Sequence, residues 1–458
     1  MTTQKRGRRR PRARSKPLGA RELALQILVA TESRSAYSDR LLETRLRDAA
    51  LPPADAHLVT ALVQGTLRRR GTLDHHLAAF ARENWGGLPA WIKGALRLGA
   101  YQLLCMDRIP ASAAVHESVE LAKKYGHPGT AGLANAILRR LAGGERAPFP
   151  DPGSSPVEHL SASRSHPRWI VERWVTRLGR EEAERMLEAD NEEPSVTVRP
   201  NLARASKEEI LTRLRSEGFE PQPAPNGGPV WIVGGGFVPS RSPVFRDGLI
   251  SLQDEAEAAV VPILDPAPGE RILDLCAAPG GKSAQIAEAV GSEGRVFALE
   301  RSPSRARALR NNLSERLRMA GTRVVCGDGT SPPFRVAFDR VLVDAPCSGL
   351  GVLRRRADAR WRKDESSIAA MAALQPPLLD AAGPLVRPRG VLVYSVCSLE
   401  PEETHDVVEF FLRAHPDFVQ ESVEPYVPPG FRSGVPHLSA TPHRHGTDGV
   451  FAARFRRR

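Results

Sequence analysis

The chain has 458 residues, with 65 Lys plus Arg, 53 Asp plus Glu, five cysteines and a formal net charge of +12. This length suits two or three domains, and no apolar run approaches the roughly 18 residues that a membrane span requires. The small, odd number of cysteines argues against a disulfide framework, and the basic N-terminus lacks the apolar stretch of a secretory signal. The composition therefore predicts a soluble, cytoplasmic protein.

The excess positive charge lies entirely at the two ends of the chain. Residues 1–17 contain eight basic and no acidic residues, and residues 452–458 contain four more basic residues. The segment between them is balanced, with 53 charges of each sign. Both ends are expected to be flexible tails, and residues 1–17 to be disordered. We favour an electrostatic tether to nucleic-acid phosphates, while a solubility tail without a partner remains the alternative.

Four segments follow the N-terminal tail. Residues 18–145 carry the apolar spacing of amphipathic helices and predict an all-helical domain. Residues 146–165 are rich in Pro, Ser and Gly and are expected to form a linker. Residues 166–255 mix helical with strand-like patterns, which predicts a small α+β subdomain. Residues 256–458 alternate strands and helices, which predicts an α/β domain with a mostly parallel sheet covered on both faces.

Within the α/β domain, eight elements can be delimited from the sequence. A single helix is also expected earlier, over Trp169–Leu187. The predicted strands are Arg271–Cys276, Arg295–Glu300, Thr322–Cys326, Phe338–Asp344 and Val391–Val396. The predicted helices are Ser283–Val290, Pro303–Ala320 and Pro401–His415.

A loop of small residues follows the first of these strands: Cys276-Ala277-Ala278-Pro279-Gly280-Gly281-Lys282. Small residues let a backbone approach a ligand closely, at the place where such sheets bind nucleotides. The loop matches neither the dinucleotide nor the P-loop pattern, which weakens a role in phosphate binding. Glu300 and Asp328, after the next two strands, could accept hydrogen bonds from ribose and adenine. The combination fits an adenosine without phosphates, such as S-adenosylmethionine; an ordinary strand–turn–helix corner is the alternative.

Two cysteines follow the fourth and fifth predicted strands, in Asp344-Ala345-Pro346-Cys347 and in Ser395-Val396-Cys397-Ser398. Functional groups gather at the carboxyl ends of parallel strands. Cys397 also precedes a predicted helix, whose N-terminal dipole would favour its thiolate. The other cysteines (Cys105, Cys276 and Cys326) are interpreted as structural core thiols. No Cys or His spacing indicates a metal site.

These segments together resemble the Sun family of RNA 5-methylcytosine methyltransferases. The run 338–349 is similar to the family signature, and the segments 276–282 and 395–398 resemble its other two principal motifs. Residues 18–145 resemble the NusB-type RNA-binding domain, and the segment up to 255 resembles the small RNA-binding subdomain that precedes the catalytic domain. This order is that of the RsmB branch, which modifies small-subunit ribosomal RNA. The resemblance implies a Rossmann-like class I methyltransferase domain.

The resemblance also implies roles for individual residues in methyl transfer from S-adenosylmethionine to carbon 5 of a cytosine. Cys397 is implied to be the nucleophile that adds to carbon 6. Asp344 is implied to hydrogen-bond the ring edge, Lys282 to contact the base, and Cys347 to assist proton removal and enzyme release. The implied cofactor site combines the 276–282 loop with the side chains Glu300, Arg305, Asp328 and Asp344. Arg305 is equally compatible with a surface position.

A basic cluster close after the signature is a candidate phosphate grip, with a solvated helix face as the alternative. Its members are Arg354, Arg355, Arg356, Arg360, Arg362 and Lys363. The expected partner is ribosomal RNA, with the protein a monomer that needs no metal or membrane. Transfer RNA as substrate stays open, as does a non-catalytic RNA-binding or antitermination factor with a retired methyltransferase domain. The intact Asp344, Cys397 and ligand loop argue against the last.

Overall fold

The computed structural model describes residues 18–33, 37–49, 51–81 and 85–458. The chain divides into two compact units, residues 1–148 and residues 149–458. The prediction for the tail 1–17 falls outside the described residues. Within the described ranges, no helix is long and apolar enough to cross a membrane.

The described part of the first unit is helical, which confirms the predicted fold class. Apolar residues at helical spacing, among them Leu23, Ile27, Leu96 and Ile137, are almost fully buried in its core. The helices are α1 (Ala20–Ser33), α2 (Ser38–Ala49), α3 (Pro53–Ala81), α4 (Ala90–Cys105), α5 (Ala111–Tyr125) and α6 (Pro128–Ala142).

The second unit begins with a mixed α+β region. Its helices are α7 (Pro156–Ser163), α8 (Arg168–Leu178), α9 (Arg180–Ala189), α10 (Lys207–Ser216) and α11 (Pro243–Arg246). Its strands are β1 (Thr197–Pro200), β2 (Gln222–Pro223), β3 (Trp231–Ile232) and β4 (Ile250–Leu252), which pair antiparallel in the order β2-β3-β1-β4.

Two details of this region differ from the sequence-based expectation. Helix α7 lies inside the expected linker 146–165, and Leu160 of α7 is fully buried against α8 and α9. The single helix predicted over 169–187 is two helices, because Gly179 adopts a φ of +79° that ends α8. The linker was predicted from its Pro, Ser and Gly content, which does not show that Leu160 packs against apolar residues of the next two helices.

The remainder of the second unit contains the large sheet. Its helices are α12 (Glu255–Ala258), α13 (Val260–Leu264), α14 (Gly281–Val290), α15 (Pro303–Arg310), α16 (Glu365–Ala382), α17 (His405–Ala414) and α18 (Pro442–His445). Its strands are β5 (Arg271–Asp274), β6 (Arg295–Glu300), β7 (Thr322–Cys326), β8 (Phe338–Asp344), β9 (Val386–Val396), β10 (Phe418–Glu421), β11 (Leu438–Ala440) and β12 (Val450–Arg457).

The large sheet has the strand order β10-β12-β9-β8-β5-β6-β7, with β11 paired to β12. Strands β5 to β9 pair in parallel, whereas β12 runs antiparallel to its neighbours. Successive residues alternate between two cores: Ile272 packs with Ile286 of α14 on one face, and Leu273 packs with Leu379 of α16 on the other. The predicted α/β Rossmann-like architecture is confirmed. The strand order reverses between β5 and β8, which is where ligands bind in such sheets.

The C-terminal residues are not the flexible basic tail expected from the sequence. They form β12, which lies between β9 and β10. The side chain of Arg454 is fully buried and donates to Glu421 Oε2 at 2.7 Å, and Arg457 donates to Asp417 Oδ2 at 2.9 Å. The expectation was wrong because these arginines are neutralised by acids more than 30 positions away.

Candidate active site

The small-residue loop joins β5 to α14 in a shape that requires glycine at one position. Gly280 has a φ of +108°, and a Cβ there would lie 2.7 Å from Leu309 Cδ1. Two side chains hold the loop from outside: Arg305 donates to the Ala278 carbonyl at 3.1 Å, and Asn312 donates to the Pro279 carbonyl at 3.0 Å. The loop is therefore a preformed concave backbone surface at the start of a helix.

Asp274, the last residue of β5, is buried beneath this loop. Ser283 Oγ donates to its Oδ2 at 2.5 Å, whereas its buried Oδ1 has no hydrogen-bond partner among the described residues. Burial raises the pKa of Asp274 to about 7. A buried acceptor without a partner is costly, so this oxygen is suited to a hydrogen-bond donor on a ligand.

The strand-end acids Glu300 and Asp328 lie where the sequence predicted them. Glu300 is buried, accepts from Ser302 N at 2.8 Å and pairs with Arg305, whose guanidinium lies 3.3 Å from Glu300 Oε2. Asp328 is more exposed and accepts from Thr330 N at 3.0 Å, a hydrogen bond that lowers the pKa of Asp328. Arg305 is an exposed helix residue whose guanidinium nevertheless links Glu300 to the loop.

The two predicted catalytic cysteines are in contact. Cys347 Sγ and Cys397 Sγ are 3.3 Å apart, after β8 and β9. The hydrogen bond between them lowers the pKa of Cys397, although burial opposes this, and nearby Lys282 lowers it further. The same hydrogen bond, together with burial, raises the pKa of Cys347. Although the Asp344 carboxylate acts in the opposite direction, the pKa of Cys397 is therefore shifted below that of Cys347.

Lys282 and Asp344 form an ion pair beside the cysteines. Lys282 Nζ lies 2.9 Å from Asp344 Oδ2, and it also contacts the carboxylate of Glu257. Ser395 Oγ donates to Asp344 Oδ1 at 2.6 Å, which fixes the orientation of the carboxylate. The four predicted catalytic residues thus gather at one end of the sheet, and Glu257 joins them without having been singled out from the sequence.

The other cysteines differ from expectation in part. Cys276 is partly buried and packs against the core of the sheet, and desolvation raises the pKa of its thiol. Cys105 and Cys326 are exposed rather than part of a core. The expectation of buried thiols at these two positions is therefore wrong, because each falls near the end of its helix or strand, where solvent reaches it.

Most of the basic cluster does not form a phosphate grip. Arg360 is fully buried and donates to Asn191 Oδ1 at 2.8 Å and to the Asp190 carbonyl at 2.9 Å. Arg354 is buried as well, and Lys363 donates to the Ser348 carbonyl. These side chains join elements of the second unit instead of facing solvent. The prediction that they contact phosphates is therefore wrong for these three residues.

Arg355 has a structural role of its own. It donates to Asp448 Oδ2 at 2.7 Å and to Asp254 Oδ2 at 2.5 Å, and both carboxylates are about 95% buried. Next to Asp448, the backbone N–H of Gly449 donates to the carbonyl of Gly351 at 2.7 Å. Arg356 is exposed and close enough to Cys397 to lower its pKa, so it remains a candidate phosphate contact.

One buried acid beside the cysteines went unnoticed in the sequence. Glu403 is fully buried and accepts hydrogen bonds from Ser348 and Ser398, which directly follow Cys347 and Cys397. No local pattern marks Glu403, since its partners lie on two loops some 50 residues apart. The only hint in the sequence is a Glu six residues after the predicted nucleophile Cys397, and it is a weak one.

Three family models match consecutive parts of the chain. A model described as 16S rRNA methyltransferase RsmB/F matches residues 261–456. The NusB family matches residues 18–143, and the ferredoxin-like domain of RsmF/B-like methyltransferases matches residues 166–228. The matches follow the order of the segments expected from the sequence, with the boundaries 145, 165 and 255 remaining predictions.

Relatives of the whole chain support the same grouping. The chain is 34% identical over 455 residues to the Probable ribosomal RNA small subunit methyltransferase B of Bacillus subtilis (strain 168), covering 97% of this chain and 100% of the relative. It is 33% identical over 403 residues to the Ribosomal RNA small subunit methyltransferase B of Erwinia tasmaniensis, covering 87% and 90%. Among solved structures, PH0851 is 26% identical with a TM-score of 0.80, covering 96% of this chain and 99% of the other.

Proposed function

Because the chain belongs to the RsmB/F family of 16S rRNA methyltransferases, we propose that it methylates carbon 5 of a cytosine in small-subunit ribosomal RNA. The methyl donor is S-adenosylmethionine, and the chemistry proceeds through a covalent bond between Cys397 and carbon 6. The observation that carries the proposal is the 3.3 Å pair of sulfurs beside the ion pair of Lys282 and Asp344, with the pKa of Cys397 lowered by its hydrogen bond to Cys347.

The residues around the small-residue loop fit the proposed donor. The backbone of 276–282 would hold its amino-acid part. The buried Oδ1 of Asp274, which has no hydrogen-bond partner among the described residues, would accept from a donor group of that part. Glu300 would accept from the ribose and Asp328 from the adenine, with Arg305 and Asp344 completing the site. Gly280 keeps the loop open, since a side chain there would collide with Leu309. S-adenosylmethionine, when bound, supplies an electrophilic methyl group.

Cytosine needs activation because its carbon 5 is a weak nucleophile. In the proposed mechanism the Cys397 thiolate adds to carbon 6, and the displaced electron pair makes carbon 5 nucleophilic. Asp344 accepts a hydrogen bond from the amino edge of the ring, and the ammonium group of Lys282 beside it offsets the negative charge that develops on the ring. After methylation carbon 5 gives its proton to a water molecule, the carbon 5–carbon 6 double bond reforms and Cys397 leaves as a thiolate.

Cys347 is proposed to assist the departure of Cys397 from carbon 6. Its sulfur lies 3.3 Å from Cys397 Sγ, and its pKa is raised, so it remains a thiol able to donate to a departing thiolate. A donor aimed at the developing negative charge lowers the barrier to bond breaking. Loss of Cys347 therefore favours accumulation of the covalent adduct.

The target base must leave its stack to reach the half-buried Cys397, so the substrate cytosine lies in a loop or at an exposed end of the RNA. Arg356 is the exposed member of the basic cluster nearest to the reacting cysteine, and we assign it a contact to the flanking phosphates.

The test is transfer of a labelled methyl group from S-adenosylmethionine by the purified chain to a small-subunit rRNA transcript and, separately, to transfer RNA. Bisulfite sequencing then locates 5-methylcytosine. We expect one rRNA cytosine to be protected and transfer RNA to stay unmodified. Label on transfer RNA alone, label on a position other than carbon 5, or binding without any transfer would each overturn the proposal.

A further inference from the structure

We propose that Glu403 is a positioning residue that fixes both cysteine loops, so that Cys347 donates its hydrogen to Cys397. This inference rests on the proposed function, because it assigns the pair its catalytic roles. Glu403 itself touches neither sulfur through a hydrogen bond; it acts through the residues that follow each cysteine.

The carboxylate of Glu403 bridges the two loops directly. Its Oε1 accepts from the backbone N–H of Ser348 at 2.6 Å, and its Oε2 accepts from the hydroxyls of Ser348 and Ser398. The two hydroxyl oxygens are also 3.2 Å apart. Since Ser348 and Ser398 each adjoin a cysteine, one planar group sets the spacing between the two reactive loops.

Neighbouring contacts hold Glu403 rigid. Its own carbonyl accepts from the hydroxyl of Tyr394, on β9, at 2.6 Å. Gln375 of α16 donates to Glu403 Oε1 at 3.3 Å and to the carbonyl of Pro346, the residue before Cys347, at 3.0 Å. The hydrogen bonds of Glu403 are charge-assisted because its carboxylate is the acceptor. They form in a low dielectric because the residue is fully buried.

The negative charge of Glu403 also distinguishes the two thiols. It contributes to raising the pKa of Cys347, after the larger effects of the hydrogen bond to Cys397 and of burial. The pKa of Cys397 is lowered first by the hydrogen bond to Cys347 and then by Lys282 and Arg356, against the opposing effects of burial and Asp344. A second thiolate next to a buried carboxylate is unfavourable, which leaves the charge on Cys397 and the hydrogen on Cys347.

The experiment compares Glu403→Gln with Glu402→Gln in the full-length chain. Glutamine keeps the shape of residue 403 but removes the charge and turns one acceptor into a donor. Glu402 is the matched control, because its side chain is 41% exposed and pairs with Arg173 rather than with either cysteine loop. Two readouts are needed: kcat and KM for methylation, and the pH dependence of alkylation at each cysteine in RNA-free protein, followed by mass spectrometry.

For Glu403→Gln we expect kcat to fall about 10- to 100-fold, the cost of losing charge-assisted hydrogen bonds, with KM changed by less than about twofold. Cys347 should become alkylated at lower pH than in the unaltered chain. Glu402→Gln should match the unaltered chain in both readouts. An unchanged kcat or an unchanged alkylation profile in Glu403→Gln would overturn the inference.

A further pair of variants keeps the test decisive if Glu403→Gln does not fold. Ser348→Ala and Ser398→Ala remove one hydroxyl each, and we expect each to lower kcat and the double variant to lower it less than the two effects combined. Simple additivity would contradict a shared carboxylate. If the unaltered chain methylates no cytosine, the proposed function fails, yet the alkylation profiles still report on Glu403.

Discussion

Replacing Arg355 by methionine is expected to destabilise the second unit rather than to weaken RNA binding specifically. The change keeps the length of the side chain but leaves the buried carboxylates of Asp254 and Asp448 without their cation. Breaking a buried ion pair in this way costs about 3–5 kcal/mol. Because the Arg355 side chain is itself 30% exposed, we expect the lower end, about 3 kcal/mol.

That loss translates into a measurable melting temperature. A unit of about 300 residues has an unfolding entropy near 0.65 kcal/mol per kelvin, so about 3 kcal/mol lowers Tm by about 5 °C. Differential scanning fluorimetry of the full chain measures this shift. The matched control is Arg356→Met, at the adjacent exposed arginine, which should leave Tm within about 1 °C.

RNA titrations at several salt concentrations complete the comparison. Arg356→Met should reduce the slope of log affinity against log salt by about 1, as expected for one lost phosphate contact, whereas folded Arg355→Met should keep the slope. An unchanged Tm in Arg355→Met would refute the structural assignment of Arg355. A reduced salt slope in Arg355→Met but not in Arg356→Met would show that the roles of the two arginines had been exchanged.

Three further changes test the cofactor loop, the buried acid and the N-terminal tail. Gly280→Ala should weaken S-adenosylmethionine binding at least about tenfold by calorimetry, because a Cβ there meets Leu309 and the φ is positive; wild-type affinity would contradict this. The folded chain keeps a proton on Asp274, whose pKa is about 7, that the unfolded chain releases. Asp274→Asn should therefore flatten the fall in the free energy of unfolding as pH rises from about 4 to about 7. Denaturant titrations at several pH values that show the same dependence of that free energy on pH would count against it. Deleting residues 1–17 should lower RNA affinity and its salt dependence without moving the modified cytosine; bisulfite maps that shift would assign recognition to the tail.

The parallel part of the sheet was predictable because its signals are local. The bounds predicted for Arg295–Glu300, Thr322–Cys326 and Phe338–Asp344 agree with β6, β7 and β8. Each strand is a short run that contains apolar residues and is flanked by turn or helix signals; β6 and β8 are largely buried, whereas β7 is the partly exposed edge strand. The positions of Asp344, Cys347 and Cys397 follow from this, because all three lie at or directly after the ends of β8 and β9.

Elements that depend on distant partners were missed. Helix α16 was not predicted at all; it contains Pro376 and Pro377, residues that usually end helices. Strand β12 was interpreted as a basic tail, because nothing near Arg454 in the sequence shows that Glu421 neutralises it. Glu403 belongs to the same class, since its hydrogen bonds converge only after the loops behind two strands fold together.

Peptide mapping of a covalent RNA complex tests the central claim most directly. The Cys347→Ala variant, incubated with small-subunit rRNA and S-adenosylmethionine, should accumulate a denaturation-resistant adduct. After nuclease and protease digestion, mass spectrometry should find a 5-methylcytidine remnant on the peptide that contains Cys397. An adduct on any other residue, or rapid methylation by a Cys397→Ala variant, would contradict the account.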